Sequence, residues 1–169
     1  MKKYNVTGAC IPEKHYMVDI SGKLLQIIGI IGDKEYEDFR DIGVIIDYGE
    51  NRRGSAMFTD NELQKMLHEI KSASEQLYGN KLNRIILFGS YARGNHTDES
   101  DIDVLIILNC DAGEIKRLRG RTAEMASNIS LEHEVFLSVL LRDKKHFEEY
   151  RDFLPLYKNI VKEGVVVYG

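Results

Sequence analysis

Two aspartates open an otherwise apolar stretch of the chain. Asp101 and Asp103 flank Ile102, and the apolar residues 104–108 follow directly. Because side chains alternate faces along a strand, the two carboxylates point the same way and Ile102 points into the opposite layer. Carboxylates at the start of a buried strand cost free energy unless a positive charge compensates them. A divalent cation does so, and Mg²⁺ needs only one or two protein carboxylates together with substrate phosphates.

A glycine and a serine end the preceding apolar run at residues 85–88. Gly89 lets the backbone approach a ligand closely because it has no side chain. Ser90 offers a hydroxyl donor and is predicted to cap a short helix beginning near residues 91–93, where backbone amides favour phosphate. Since this turn and the aspartates stand at the ends of two strands that we expect to be neighbours, the sequence predicts a nucleoside-triphosphate site.

The two stretches together resemble a known family. Residues 87–94, LFGSYARG, are followed by residues 100–104, SDIDV, so that ten residues separate Gly-Ser from Asp-x-Asp. This pattern is similar to the signature of the nucleotidyltransferase (polymerase beta) superfamily and especially to its minimal branch, the MNT domains. The resemblance implies an α+β fold, a mixed β-sheet flanked by helices. MNT domains are often encoded beside HEPN-domain ribonuclease toxins, so a HEPN-domain protein is the implied partner.

The resemblance also implies roles for individual residues. Asp101 and Asp103 would hold Mg²⁺ against the triphosphate. Gly89 and Ser90 would hold the β- and γ-phosphates, and Arg93 would add a charge-assisted contact unless it makes a surface salt bridge instead. Little covalent chemistry falls to such a protein, because positioning and charge neutralisation dominate phosphoryl transfer.

A third carboxylate is implied on a strand beside the aspartate pair. Glu132 and Glu134 are two residues apart, so they would share one face of a strand. We assign Glu134, which starts the predicted apolar strand 134–140, as ligand of a second Mg²⁺ ion and as acceptor of a proton. The alternatives are Glu132 in this role and a Glu134 that only solvates the strand start.

Helices are expected before and after these strands. Thr59 with Glu62 predicts a capping box for a helix that stops at Gly79, and Asp111 caps a second helix. A short helix is expected after Asp143, and another over residues 155–163 with Gly164 as its stop. His96 lies in the polar loop 95–99, where we expect a solvated side chain.

The first 58 residues are predicted to be an N-terminal extension, and residues 59–169 the nucleotidyltransferase domain. Apolar spacing over residues 24–31 predicts a helix, and residues 43–48 predict a strand. Residues 10–21 are similar to the start of a group of AAA-type ATPase-like proteins. The phosphate-binding motif G-x-x-x-x-G-K-[ST] does not follow anywhere in the sequence, so ATPase activity is not implied.

Composition sets the outer limits. The 169 residues carry a net charge of −4, which argues against a broad nucleic-acid-binding surface. No apolar run reaches the length of a membrane span, and the first residues lack the apolar core of a signal peptide, so a cytoplasmic protein is expected. Cys10 and Cys110 are too few for a disulfide framework or a zinc site.

These observations favour a Mg²⁺-dependent nucleotidyltransferase that moves AMP from ATP or another NTP to a hydroxyl, including a hydroxyl on a protein. Two alternatives stay open. One is an MNT-type antitoxin that neutralises a HEPN toxin by binding alone, and the other is an antibiotic-modifying nucleotidyltransferase. The intact Gly-Ser and Asp-x-Asp motifs favour catalysis, because a binding module has no need of metal carboxylates. The acceptor and the oligomeric state are not predicted by the sequence.

Overall fold

The computed structural model describes residues 17–20, 23–27, 46–47, 58–97 and 100–169, the first three ranges by their backbone. In chain order the elements are β1 (Met17–Ile20), β2 (Lys23–Ile27), β3 (Ile46–Asp47), α1 (Asp60–Tyr78), a 3₁₀ turn (Gly79–Lys81), β4 (Leu82–Phe88), α2 (Gly89–Arg93), β5 (Ile102–Leu108), α3 (Ala112–His133), β6 (Leu137–Asp143), α4 (Lys144–Tyr150), α5 (Pro155–Glu163) and β7 (Val165–Tyr168). No helix among these elements combines the length and the apolar character needed to cross a membrane.

A four-stranded mixed sheet of order β6-β5-β4-β7 forms the centre. Strand β4 is antiparallel to both β5 and β7, whereas β5 and β6 are parallel. A parallel neighbour requires a crossover connection, and α3 supplies it between β5 and β6. The α+β fold with a mixed sheet and flanking helices is therefore confirmed.

Apolar side chains cover the two faces of the sheet separately. Helices α1 and α3 pack on one face through residues such as Met66, Ile70 and Ile129. Helices α4 and α5 pack on the other through Phe147, Tyr157 and Ile160. Strand β5 is buried on both faces, which explains why it reads as a continuous apolar run apart from one aspartate.

Side-chain caps fix where the main helices begin, as predicted. Thr59 accepts a hydrogen bond from the backbone N–H of Glu62, whose side chain accepts one from the N–H of Thr59. Asp111 caps α3 through the N–H of Glu114 at 2.8 Å. Asp143 caps α4 through the N–H of His146 in the same way. The predicted helix over residues 155–163 is also confirmed as α5.

The N-terminal segment differs from its prediction where it is described. Strands β1, β2 and β3 form a second, antiparallel sheet. Strand β2 covers Lys23–Ile27, so the helix predicted over residues 24–31 is wrong there, and three glycines at 22, 29 and 32 already weakened it. Strand β3 lies inside the predicted strand 43–48. The ATPase-like similarity at residues 10–21 falls mostly outside the described residues.

Strand β6 also differs from its prediction. It begins at Leu137, and Glu134 is instead the residue that ends α3, in the left-handed conformation with φ 52° and ψ 37°. The N–H of Glu134 donates to the carbonyl of Ser130, so the helix keeps its hydrogen bonding up to this point. The strand predicted from residue 134 is therefore wrong, because α3 runs one turn further than its apolar pattern indicated.

Candidate active site

Asp103 lies near the start of β5, a strand that has neighbours on both sides. In the β4–β5 ladder it pairs with Phe88, the last residue of β4, and in the β5–β6 ladder it pairs with Ser138. Its chain neighbours Ile102 and Val104 are fully buried in the core under α1 and α3. Because side chains alternate, the carboxylate of Asp103 points to the opposite face.

Gly89 touches this carboxylate directly. The residue has φ +75°, a conformation that L side chains rarely adopt, and it follows β4 at the point where α2 begins. A Cβ placed on Gly89 would overlap Oδ2 of Asp103 and would lie 3.2 Å from its Cγ. Glycine is therefore required twice here, for the backbone turn and for the close approach of the turn to the aspartate.

The surroundings of Asp103 make its negative charge costly. Burial raises the pKa of the Asp103 carboxyl, and the nearby charge of Asp101 raises this pKa further. A hydrogen bond from the Ser138 hydroxyl and the positive charge of Arg93 act in the opposite direction without cancelling the shift. Because the negative charges of Asp101 and Asp103 disfavour each other, a cation beside them would be favoured.

Ser90 and Arg93 both lie on α2, next to Gly89. The structure does not make Ser90 the helix cap, since Phe88 occupies the cap position and Ser90 lies in the first turn. That leaves the Ser90 side chain outside a capping role. Arg93 forms an ion pair with Glu163 at the end of α5, with Nη1 and Oε2 3.7 Å apart. The salt bridge that the sequence left as the alternative for Arg93 is present.

The structure does not bring Glu134 or Glu132 into a metal group with the aspartates. Both glutamates are exposed and both precede the first residue of β6, with Glu132 in the last turn of α3. Among residues 58–97 and 100–169 no three Asp, Glu, His or Cys side chains are placed to hold one ion. The β6 residue in register with Asp103 is a serine.

His96 is not the solvated loop residue that we expected. Its ring stacks on Tyr91 with centroids 4.0 Å apart and planes 9° apart. The Nδ1 atom is buried and has no hydrogen-bond partner in the described part of the chain. Tyr91 is buried in the core under α1 and α3, so the stacking ties the loop after α2 to that core.

Sequence reasoning missed two residues of the site. Ser138 would have required knowledge that β5 and β6 are parallel and paired residue for residue, which no local pattern contains. Glu163 would have required the packing of α5 beside α2. The apolar run Val165–Tyr168 did carry a local signal, three valines in succession, and it forms the edge strand β7.

The chain is similar to known proteins over the part that contains these site residues. The model of the nucleotidyltransferase domain family matches residues 67–168, which include α2 and all four strands of the central sheet. A protein of Methanocaldococcus jannaschii, named "putative protein adenylyltransferase", is 30% identical over 105 residues, covering 62% of this chain and 97% of the relative. A second protein of the same organism and name is 35% identical over 83 residues, covering 49% and 82%.

A solved structure of a toxin–antitoxin with AMP-PNP is similar over 61% of this chain and 73% of that chain. The sequence identity is 22% and the TM-score is 0.40.

Proposed function

Because the chain belongs to the nucleotidyltransferase domain family, we propose that it transfers AMP from ATP to a hydroxyl group of a partner protein. The names of the two archaeal relatives support the adenylyl group and the protein acceptor. The single observation that carries the proposal is the contact of Gly89 with the Asp103 carboxylate. It joins the turn after β4 and the acid of β5 at one point, and a triphosphate with its cation needs both.

Mg²⁺ is the cofactor of this proposal, and the residues fit it. Asp101 and Asp103 supply carboxylate oxygens, the ligands that Mg²⁺ takes in proteins. Burial, together with the charge of Asp101, raises the pKa of the Asp103 carboxyl, so its negative charge is not fully compensated by the protein. A side chain at residue 89 would overlap Oδ2 of Asp103, so glycine keeps this oxygen from being covered by residue 89. When bound, the cation would neutralise negative charge on the triphosphate.

The chain's own side chains would bind and orient the reactants. The Ser90 hydroxyl would donate to a phosphate oxygen. Arg93 would bind another phosphate oxygen, either in place of Glu163 or together with it. The acceptor oxygen forms a bond to the α-phosphorus and releases its proton to water, while the bond between the α-phosphorus and the oxygen that bridges to the β-phosphorus breaks. Pyrophosphate is the leaving group, and alignment of the three atoms is the protein's main contribution.

The test is incubation of the protein with α-labelled ATP, Mg²⁺ and the product of the neighbouring gene. Mass spectrometry should find AMP on a hydroxyl side chain of that partner. Asp101→Asn combined with Asp103→Asn should reduce transfer on the order of a thousandfold, since several kcal/mol of charge stabilisation are lost.

The matched control is Asp152→Asn. Asp152 is an acidic residue that follows α4 in the chain, and 76% of its side chain is exposed. This variant should transfer AMP at the wild-type rate. Labelled product that persists undiminished in the double aspartate variant would contradict the proposed site.

A second candidate function is a binding module, an MNT-type antitoxin that neutralises a HEPN toxin without chemistry. The observation that favours it is Ser138, a neutral residue in register with Asp103 where the resemblance implied a third acid. The discriminating test is co-expression of the double aspartate variant with a HEPN-domain toxin. Neutralisation equal to that of the wild type would assign the protection to binding, and its loss would assign it to transfer.

A further inference from the structure

Strand β6 presents a hydroxyl, not an acid, to the candidate active site. Ser138 is the register partner of Asp103 in the parallel β5–β6 ladder, so the two side chains lie on the same face of adjacent strands. The hydroxyl of Ser138 donates a hydrogen bond to the Asp103 carboxylate. The Asp103 carboxylate therefore lies between Ser138 of β6 and Gly89, with its Oδ2 on the side of Gly89.

Charge counting limits what this site can hold. The acid that interacts with Asp103 is Asp101, and the base is Arg93. Across residues 58–97 and 100–169 no third acidic, histidine or cysteine side chain joins them in an ion-binding group. Two carboxylates balance one divalent cation. Within the described part of the chain, a second cation would find a neutral hydroxyl besides phosphate oxygens and water, and Arg93 would repel it.

The end of α3 keeps Glu134 from filling the third position. The N–H groups of Glu134 and Val135 both donate to the carbonyl of Ser130, the second at 3.2 Å. The Ser130 hydroxyl accepts from the N–H of Leu137 at 3.1 Å and is buried. Moving Glu134 to the level of Ser138 would break this set of bonds and shift β6 against β5.

Resting on the proposed function, we infer that this site takes one divalent cation per bound nucleotide and that Ser138 is the positioning residue that orients Asp103 toward it. The Ser138 hydroxyl occupies the position of a third ligand and hydrogen-bonds to Asp103, but it adds no negative charge. The carboxylate of Asp103 is thereby fixed between the turn at Gly89 and strand β6.

The first measurement is the number of ions. Mn²⁺ is titrated into the protein by electron paramagnetic resonance, with an ATP analogue whose α–β bridge is a methylene group. Wild type should bind one Mn²⁺ per bound nucleotide. Ser138→Asp adds the missing carboxylate on the same strand face and should bind two.

The second measurement separates positioning from folding. Ser138→Ala should weaken the affinity for Mg²⁺ with the same ATP analogue about tenfold, the low end expected for a hydrogen bond to a charged group in a half-open site. Ser138→Thr keeps the hydroxyl on a β-branched side chain that suits a strand, and it should restore the wild-type affinity. Thermal unfolding without ligand should differ little between the alanine and threonine variants.

The outcomes separate this inference from the proposed function. Two Mn²⁺ ions per nucleotide in wild type, with AMP transfer intact, would overturn the one-ion site and leave the transfer reaction standing. Equal affinity in Ser138→Ala and wild type would overturn the positioning role. Absence of both cation-dependent nucleotide binding and transfer in wild type would overturn the proposed function and this inference with it.

Discussion

Strands β5 and β6 lie side by side in parallel register, but they enter the sheet in different ways. Strand β5 starts from a loop, and its acids Asp101 and Asp103 stand immediately before and within the strand. Strand β6 starts from the end of α3, and its acids Glu132 and Glu134 remain in the helix and its cap. The same spacing of two acids therefore gives two different placements.

The difference between the two strands shows when the alternation of side chains can be used to place two residues on the same face of a sheet. Two residues share a face only if the backbone between them is extended, and the backbone at Glu134 is left-handed. On β5 the strand begins at Ile102, between the two acids, so Asp103 already lies within extended backbone. On β6 the alternation applies only from Leu137, and counting from there puts Ser138 at the site.

Gly89→Ala should give the largest effect, because it disturbs the site beside β5 in two ways. The new Cβ would overlap the Asp103 carboxylate, and the alanine would have to adopt φ +75°. A displacement of about 1 Å at a reacting centre can cost about a hundredfold in rate, so we expect at least that loss in AMP transfer. Stability should fall by about 2–4 kcal/mol, from the strain and the overlap together.

Gly94→Ala is the matched control for this prediction. Gly94 also has a left-handed backbone, with φ +70°, but a Cβ there meets nothing within 4 Å. Its cost should be the backbone strain alone, about 1 kcal/mol in urea unfolding, with transfer nearly unchanged. Equal loss of activity in both variants would show that strain, and not contact with Asp103, makes Gly89 necessary.

Asp103→Asn should raise stability in the absence of Mg²⁺ and nucleotide. The folded-state pKa of Asp103 lies above its ordinary value of 3.8, so the folded protein holds this proton more tightly than the unfolded chain does. The contribution of this carboxyl to wild-type stability therefore falls as the pH rises from 3.8 through the folded-state pKa and stays level above it.

The variant lacks that proton, so its advantage should be absent at a pH below 3.8 and complete once the folded-state pKa is passed. Urea unfolding of both proteins across the acidic range measures the difference in their free energies of unfolding. The contributions of the other carboxylates are the same in both proteins and cancel in this difference. Adding Mg²⁺ with the ATP analogue should reverse the order by stabilising wild type alone. A constant difference at every pH would contradict the origin proposed here.

Local signals were enough for much of the molecule. Caps such as Thr59 and Asp111 mark helix starts because the bonds they form span only three residues. The Gly-Ser turn and the aspartates could be predicted because a positive backbone angle and a buried charge each restrict the residue type severely. In all these cases the physical cause lies within a few residues of its signal.

The parts that could not be predicted depend on distant partners. Ser138 gains its place from the β5–β6 register, and Glu163 from the packing of α5 beside α2. The end of α3 depends on the buried Ser130, whose hydroxyl and carbonyl together bind the following backbone. Apolar spacing cannot reveal that final turn, because its stabilising bonds are polar.

Glu134→Gly should have a moderate effect of the opposite sign to most substitutions. A glutamate at φ 52° carries backbone strain that glycine removes, and glycine is the preferred residue just past a helix end. The greater freedom of glycine in the unfolded chain offsets part of the gain. We expect a net stabilisation of about 0.5–1 kcal/mol in urea unfolding.

The control lies two residues away. Glu132→Gly places glycine inside the last turn of α3 and should destabilise the protein by about 1 kcal/mol. If both substitutions destabilise, the left-handed cap is not a strained position and β6 does not begin from a cap at residue 134.

Glu134→Gln should have the smallest effect, and it bears most directly on the comparison of the two strands. A proton acceptor or metal ligand at this position would make turnover fall about a hundredfold or more, while binding of Mg²⁺ and the ATP analogue changed little. We expect transfer within about twofold of wild type, because Glu134 is exposed at the α3 cap and outside any described ion-binding group. The glutamine keeps the shape and the backbone bond to Ser130, so stability serves as the internal check. A large loss of turnover at unchanged stability would show that Glu134 takes part in the reaction. The start of β6, like that of β5, would then supply an acid to the site.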